Sequence, residues 1–190
     1  MTTTPPPPSS AGSPEEHFAA FLRALGLDVD GDPELRDTPA RVTELLRERF
    51  DPAAPVAELS VIDTPPSNRD LVVVRDLRFH SLCVHHVTPF FGTCTVAFVP
   101  NGRLAGFGGI DRLVQSVARR PQLQERMVAQ IADALVAQLA PTGVAVIARA
   151  RQMCMELTGT HPGAETLAIA RRGSLLEAGA WTALAPLLTP

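Results

Sequence analysis

A thiol and two imidazoles lie within four residues of this chain, in the run Ser81-Leu82-Cys83-Val84-His85-His86. Sulfur and nitrogen donors at a Cys-x-x-His spacing, here Cys83 and His86, are typical of zinc sites. His85 adds a titratable group beside such a metal, since imidazole exchanges protons near neutral pH. The run therefore indicates a hydrolytic zinc site rather than a purely structural one.

The composition narrows the classes of protein to which the chain can belong. Its 190 residues suffice for one domain with a sizeable core, and its net charge of −3 gives no basic footprint for nucleic acid. No run of about 20 apolar residues predicts a membrane span, so no membrane partner is expected. Three cysteines, an odd number without an export signal, predict a cytoplasmic location and thiols that act as ligands or core residues.

The first part of the chain predicts a tail followed by helices. Residues 1–14 are rich in Pro, Ser and Thr, which is typical of a disordered tail. Apolar residues recur at helical spacing from Phe18 to Leu25, and Asp37-Thr38-Pro39 is a typical helix start. Residues 15–55 are therefore predicted to form an N-terminal helical segment, and residues 56–190 to form the domain that carries the chemistry.

The middle of the chain changes to the pattern of strands. β-Branched and aromatic residues predict strands at Asp70–Leu82 and Gly92–Val99. Pro89 and Gly92 are predicted to mark the turn between them, and Asn101-Gly102 a further hairpin. The cysteine–histidine run then falls at the end of a strand.

Helical spacing returns in the second half of the chain. Helices are predicted at Ile110–Arg119 and Pro121–Leu139, strands at Val144–Met153 and Thr166–Ala170, and a short helix at the C-terminus. This order of elements predicts an α+β fold with helices on one face of an antiparallel sheet.

Four segments carry a resemblance to a known family: Asp37–Val42, Ser81–His86, Arg120–Arg126 and Met153–Glu156. On these segments the chain resembles GTP cyclohydrolase I over nearly its whole length after the tail. The resemblance implies a tunnelling fold, an antiparallel sheet with two helices on its outer side. Subunits of that family join their sheets into an oligomeric β-barrel and form a homodecamer. Residues 56–190 are then a tunnelling-fold zinc catalytic domain.

The resemblance also implies a zinc centre. The family binds Zn²⁺ through two cysteines and one histidine, which correspond to Cys83, His86 and Cys154. Three protein ligands leave a fourth position for water, whose pKa zinc lowers to about 7. The family directs this water at C8 of GTP, releases formate and rearranges the ribose to give dihydroneopterin triphosphate.

The other predicted site residues follow from the same resemblance. His85 corresponds to a catalytic histidine, which can pass a proton to a purine nitrogen. Glu125 corresponds to the glutamate that binds the guanine edge, where a carboxylate accepts two parallel hydrogen bonds, and Gln124 adds contacts beside it. Arg41 and Arg112 are the basic residues retained for substrate binding.

Several positions depart from the family pattern, among them Gly108, which replaces a serine. Gln152 replaces a second catalytic histidine and Val84 a glutamate; Gly109, Thr158 and Glu44 replace basic residues. Glutamine can form hydrogen bonds in the site but cannot exchange a proton near pH 7. The lost cations predict weaker triphosphate binding, because each charge-assisted contact is worth ~1.5–3 kcal/mol.

These departures leave three functions open. The preferred expectation is a zinc hydrolase that opens the imidazole ring of a less phosphorylated purine or pterin-like substrate and stops before ribose rearrangement. An ordinary GTP cyclohydrolase I, in which His161 or Arg151 supplies charge, is the first alternative. A non-catalytic, zinc-stabilised ring that binds a purine or pterin is the second. His85 beside an open zinc position argues against the second, because structural zinc usually has four protein ligands.

Four further residues of reactive type are assigned no chemistry. Cys94 lies in an alternating run and matches no ligand position, so it is predicted to be a core thiol. His17, His80 and His161 match no catalytic position and are predicted to lie at the surface.

Overall fold

The computed structural model describes residues 12–49, 51, 53–65, 67 and 69–188, without the side chains of 183, 184 and 186–188. The chain divides into two compact units, with the boundary after Arg49. Residues 1–11 of the predicted tail lie outside the described residues, and the predicted boundary between residues 55 and 56 stays a prediction.

The N-terminal unit contains the two predicted helices, α1 (Pro14–Ala24) and α2 (Thr38–Arg49). Helix α1 begins in a capping box, in which the Glu16 N–H donates to Ser13 Oγ and the Ser13 N–H donates to the Glu16 carboxylate. Its apolar face joins the small core formed by Ala19, Leu22 and Val29.

The larger unit is built on a five-stranded sheet of order β5-β2-β3-β6-β7. Its strands are β2 (Val72–Cys83), β3 (Thr88–Val99), β5 (Pro121–Gln122), β6 (Gly143–Gln152) and β7 (Glu165–Gly173). The four long strands pair antiparallel, and the short β5 joins β2 in parallel. A separate two-stranded sheet pairs β1 (Val61–Asp63) with β4 (Arg103–Ala105).

Helices α3 (Phe107–Ala118) and α4 (Gln124–Leu139) cover one face of the large sheet. Their apolar sides pack with the strands into one core, whose largest fully buried members include Phe79, Phe90, Phe98, Ile110, Leu113, Met127, Ile131 and Leu135. A short helix, α5 (Met153–Thr158), a 3₁₀ turn (Ser174–Leu176) and α6 (Ala178–Leu188) complete the unit. The predicted α+β tunnelling fold, with two helices on one face of the sheet, is confirmed.

Two predictions about turns are wrong. Pro89 and Gly92 lie inside β3, and the turn is instead Val84–Val87, which the Val87 N–H closes on the Cys83 carbonyl at 2.9 Å. Asn101-Gly102 precedes β4, but β4 pairs with β1 rather than folding back on β3, so no hairpin forms there.

Several predicted element boundaries also change; α3, for example, begins at Phe107 rather than Ile110. Two of the changes lie near Cys83. Helix α4 begins at Gln124 rather than Pro121, because Pro121 and Gln122 pair with the end of β2. The strand predicted to reach Met153 ends at Gln152, and α5 follows at once. Both changes bring polar residues to the end of the sheet where Cys83 lies.

Gly92 is required by the close approach of β3 to β6. A Cβ at this position would lie 1.9 Å from the carbonyl oxygen of Arg149, a backbone atom that cannot rotate away. We expect Gly92→Ala to lower the free energy of unfolding by about 1–3 kcal/mol, the usual effect of overpacking. Urea unfolding at one fixed protein concentration measures it. Gly179→Ala is the control, because its Cβ would meet no atom within 4 Å. An unchanged stability in Gly92→Ala would contradict the packing argument.

Candidate active site

The motif Arg120–Arg126 builds one wall of the site through backbone pairing. Cys83 lies opposite Gln122 in the parallel β2–β5 ladder, and the Val84 N–H donates to the Gln122 carbonyl at 3.1 Å. The buried Gln122 carboxamide is itself held, since its Nε2 donates to Val117 and Gln130 and its Oε1 accepts from Arg126. The motif therefore fixes the place where the cysteine–histidine turn leaves the sheet.

Cys83, His86 and Cys154 come together from the end of β2, the turn and the start of α5. One donor atom from each residue lies within 4.8 Å of the other two, and Cys83 Sγ is 3.9 Å from His86 Nδ1. Zinc binds such atoms at about 2.0–2.3 Å, so a small inward rotation of the side chains closes the set on one ion. Two sulfurs and one nitrogen fit zinc both in chemistry and in arrangement.

The electrostatics of the two thiols agree with this assignment. Burial raises the pKa of the Cys154 thiol, and the nearby Cys83 raises it further through its charge and a hydrogen bond. Two neighbouring thiolates repel each other, whereas a bound dication stabilises both. The pair therefore favours the thiol form without a cation and can ionise when a dication binds between the two sulfurs.

The predicted chemistry falls around one cavity of about 260 Å³. Its lining contains all three candidate metal ligands and four further predicted residues: His85, Gln124, Glu125 and Gln152. Residues that were not predicted complete it: Phe90, Gln122, Leu123, Met155 and Thr166.

His85 and Glu125 line this cavity from two different elements, the turn after β2 and the start of α4. His85 is exposed in the turn, and its ring lies 6.2 Å from that of His86 at nearly a right angle. Glu125 is exposed in the first turn of α4. Among the described residues its carboxylate has no hydrogen-bond partner, so both of its oxygens are available to a ligand.

The Gln124 carboxamide is instead fully occupied inside the protein. Its Nε2 donates to the carbonyls of Ala148 and Thr166, at 2.8 and 3.2 Å. Its Oε1 accepts from Gln152 Nε2 at 2.8 Å and from Thr166 Oγ1 at 2.5 Å. A carboxamide offers two donors and two acceptor positions, and here all four are used. Contact between Gln124 and a substrate is thereby restricted to its backbone.

The two predicted basic contacts are not among the residues that line the cavity. Arg112 lies on the exposed side of α3, with its guanidinium beside the backbone of Gly108 and Gly109. Arg41 belongs to the N-terminal unit, where it pairs with Asp37 at 3.2 Å. Both remain predicted contacts for substrate.

Most of the departures from the family pattern also lie outside the lining. Val84 is exposed in the turn, and Glu44 is exposed on α2. Gly109 is buried in α3, where a Cβ would contact Leu59 at 3.5 Å. Thr158 ends α5 with its hydroxyl donating to the Cys154 carbonyl at 2.9 Å.

Arg151 and His161 are the candidates to replace the lost positive charge, and one of them, Arg151, already forms an ion pair within the protein. Arg151 is bound by Glu156 at 2.5 Å, and this guanidinium is the main reason why the pKa of Glu156 is lowered. His161 is exposed in the segment after α5. The structure thus leaves Arg151 with its charge already balanced by a carboxylate.

The residues assigned no chemistry lie as expected. Cys94 is fully buried in the core, and burial raises the pKa of its thiol to about 12. His17, His80 and His161 are exposed, and His80 stacks on Phe91 with ring centroids 5.9 Å apart.

Comparison with known proteins decides the family. The family model for GTP cyclohydrolase I matches residues 14–183. The chain belongs to the GTP cyclohydrolase I family. The relative named GTP cyclohydrolase 1 from Thermobifida fusca is 40% identical over 168 residues, which cover 86% of this chain and 80% of the relative. The protein of the same name from Streptococcus pyogenes is 41% identical over 161 residues, covering 83% and 82%.

One solved structure is similar to part of this chain. The crystal structure of the archaeosine synthase QueF-Like in the apo form has a TM-score of 0.47 and 20% identity, and covers 58% of this chain and 97% of that one. At the level of family, the prediction that this chain is a cyclohydrolase is confirmed. No helix in the described part of the chain is long and apolar enough to cross a membrane.

Proposed function

We propose that this protein catalyses the GTP cyclohydrolase I reaction, opening the imidazole ring of GTP to release formate and give dihydroneopterin triphosphate. The observation that carries the proposal is the single cavity shared by Cys83, His86, Cys154, His85 and Glu125. It joins a candidate metal centre, a proton carrier and a free carboxylate within the reach of one purine. Family membership supports the same conclusion.

In this proposal each residue has a separate task. Cys83, His86 and Cys154 hold zinc, which when bound supplies the Lewis acidity that makes water nucleophilic near neutral pH. The unpaired Glu125 carboxylate binds the N1–H and amino group of guanine and fixes the purine in the cavity. His85 holds a proton at an imidazole nitrogen and delivers it to the purine as its ring opens.

The relatives favour GTP over the less phosphorylated substrate expected from the departures. Those compared are named GTP cyclohydrolase 1, and none points to loss of the triphosphate. Glu44, Gly109 and Thr158 still remove positive charge, so we propose that Arg41 and Arg112 carry the phosphate contacts.

We also propose that the protein works in the cytoplasm as a homo-oligomer, a decamer by resemblance to the family. The sheet face turned away from α3 and α4 exposes large apolar side chains, with Phe91 37%, Leu167 52% and Ile169 42% accessible. β7 is an edge strand of the large sheet. Exposed apolar groups and an edge strand together are typical of a surface that pairs with another subunit.

The substrate assay separates the open alternatives. Zinc-loaded protein is incubated with GTP and, in parallel, with guanosine, while formate and dihydroneopterin triphosphate are measured. We expect kcat/KM to be at least about tenfold higher for GTP, because the triphosphate adds charge-assisted contacts.

Each other outcome identifies another function. Formate from guanosine alone would establish a less phosphorylated substrate. Formate without dihydroneopterin triphosphate would mean that the reaction stops at ring opening, and no formate from either compound would support the non-catalytic binder.

A further inference from the structure

The Gln152 carboxamide has a defined orientation, because backbone carbonyl groups fix the orientation of the neighbouring Gln124 carboxamide. The Gln124 Nε2 faces the carbonyl oxygens of Ala148 and Thr166, which can only accept hydrogen bonds. The opposite end of the Gln124 carboxamide, Oε1, must therefore be the end that faces Gln152. A glutamine that usually can turn either way is thus locked by two main-chain groups.

The orientation of Gln124 in turn fixes that of Gln152. Gln152 meets Gln124 Oε1 at 2.8 Å and Thr166 Oγ1 at 3.4 Å. Thr166 donates its only hydroxyl hydrogen to Gln124 Oε1, its shortest contact, so towards Gln152 it can only accept. Gln152 Nε2 must therefore face both partners, because the flipped carboxamide would place its carbonyl oxygen next to Gln124 Oε1, another acceptor.

The side-chain oxygen of Gln152, Oε1, is consequently available to accept a hydrogen bond from a ligand in the cavity. Within the described chain it accepts no hydrogen bond, yet it is not among the fully buried atoms that lack a partner. Gln152 lines the cavity together with His85 and Cys154. The site thus presents a neutral acceptor, which does not titrate, close to the candidate metal centre.

The chemistry of the nucleotide indicates what this acceptor binds. Guanine offers N7 and O6 as acceptors, and its donors are the N1–H and amino group proposed to bind Glu125. The donors that remain on GTP are the ribose hydroxyls. We propose that Gln152 Oε1 accepts a hydrogen bond from a ribose hydroxyl, and that Gln124 and Thr166 are the positioning residues that hold it in this orientation. This inference rests on the proposed function.

A ligand that resists ring opening tests the inference by binding alone. 7-Deaza-GTP has carbon in place of N7, so it lacks the C=N bond to which water adds, but it keeps the guanine edge and the ribose. Calorimetry on the zinc-loaded protein compares it with its 2′-deoxy and 3′-deoxy forms. We expect one deoxy form to bind about fivefold to tenfold more weakly, the usual value of one neutral hydrogen bond. In Gln152→Met the three ligands are expected to bind equally.

Two further variants separate this role from a structural one. Thr166→Val keeps the shape of the side chain but removes the hydroxyl that helps to orient Gln152, so the preference for the ribose hydroxyl is expected to fall. Gln115→Met is the matched control for Gln152→Met, because Gln115 Nε2 also donates to a side-chain oxygen, Asp111 Oδ1, but Gln115 does not line the cavity. It is expected to keep the full preference, and zinc content is measured for every variant.

The possible failures can be told apart. Equal binding of all three ligands by the unmodified protein, or a preference that survives in Gln152→Met, overturns the inference but leaves the proposed function intact. No binding of 7-deaza-GTP, together with no formate from GTP, overturns both. If Gln152→Met fails to fold, the ratio measured for Thr166→Val decides.

Discussion

A Cys154→Ala variant is expected to lose its zinc and, with it, all measurable release of formate from GTP. Cys154 supplies one of only three donor atoms in the candidate metal group. With two protein ligands left, the affinity for zinc is no higher than that of any two neighbouring donor residues on a protein surface. Without bound zinc, water is no longer activated near neutral pH. Zinc per chain is measured by atomic emission after dialysis, together with formate release. About one zinc ion per chain is expected before the substitution and close to none after it.

The chain supplies a matched control for this experiment in Cys94. It is fully buried in the core, and burial raises the pKa of its thiol to about 12. It does not belong to the candidate metal group, which consists of Cys83, His86 and Cys154. Cys94→Ala should therefore keep its zinc and its turnover, with a modest loss of stability from the smaller side chain. Full zinc occupancy in Cys154→Ala would show that the metal has been assigned to the wrong residues.

The sequence predicts most elements of this fold because their periodicity is local. The apolar faces of α1, α3 and α4 follow from helical spacing, and the β-branched run before Cys83 follows from strand propensity. What it could not predict depends on partners far away in the chain. Pro121 and Gln122 have helical neighbours, yet they form β5 because β2 offers them an edge.

The candidate site shows the same division. Cys83, His85 and His86 are recognisable from their spacing alone, whereas Cys154 could be added only through resemblance to a family, since nothing near it in sequence marks it as a ligand. Thr166 had no sequence signal, because its role comes from a hydrogen bond to Gln124 on another element. For Gln124 itself, the sequence indicates a polar residue in the right place. It does not indicate that other protein groups occupy every hydrogen-bonding position of its side chain.

The two adjacent histidines are expected to separate metal binding from proton transfer. His86 belongs to the candidate metal group and His85 does not, although both line the cavity. His85→Ala should keep its zinc and lose turnover by about 100-fold to 10,000-fold, the range associated with a positioned acid or base. His86→Ala should lose the metal and turnover together, as in Cys154→Ala.

This pair is informative because the substitutions are chemically identical and fall on neighbouring residues of one turn. Any general disturbance of the turn at Val84–Val87 would affect both variants alike, so a difference in zinc content must come from the imidazole that was removed. Comparing kcat with KM adds a second distinction, since a residue that moves a proton lowers kcat, whereas one that only binds substrate raises KM. Zinc loss in His85→Ala and its retention in His86→Ala would reverse the two roles, and the proton carrier would then be the residue packed against Cys83.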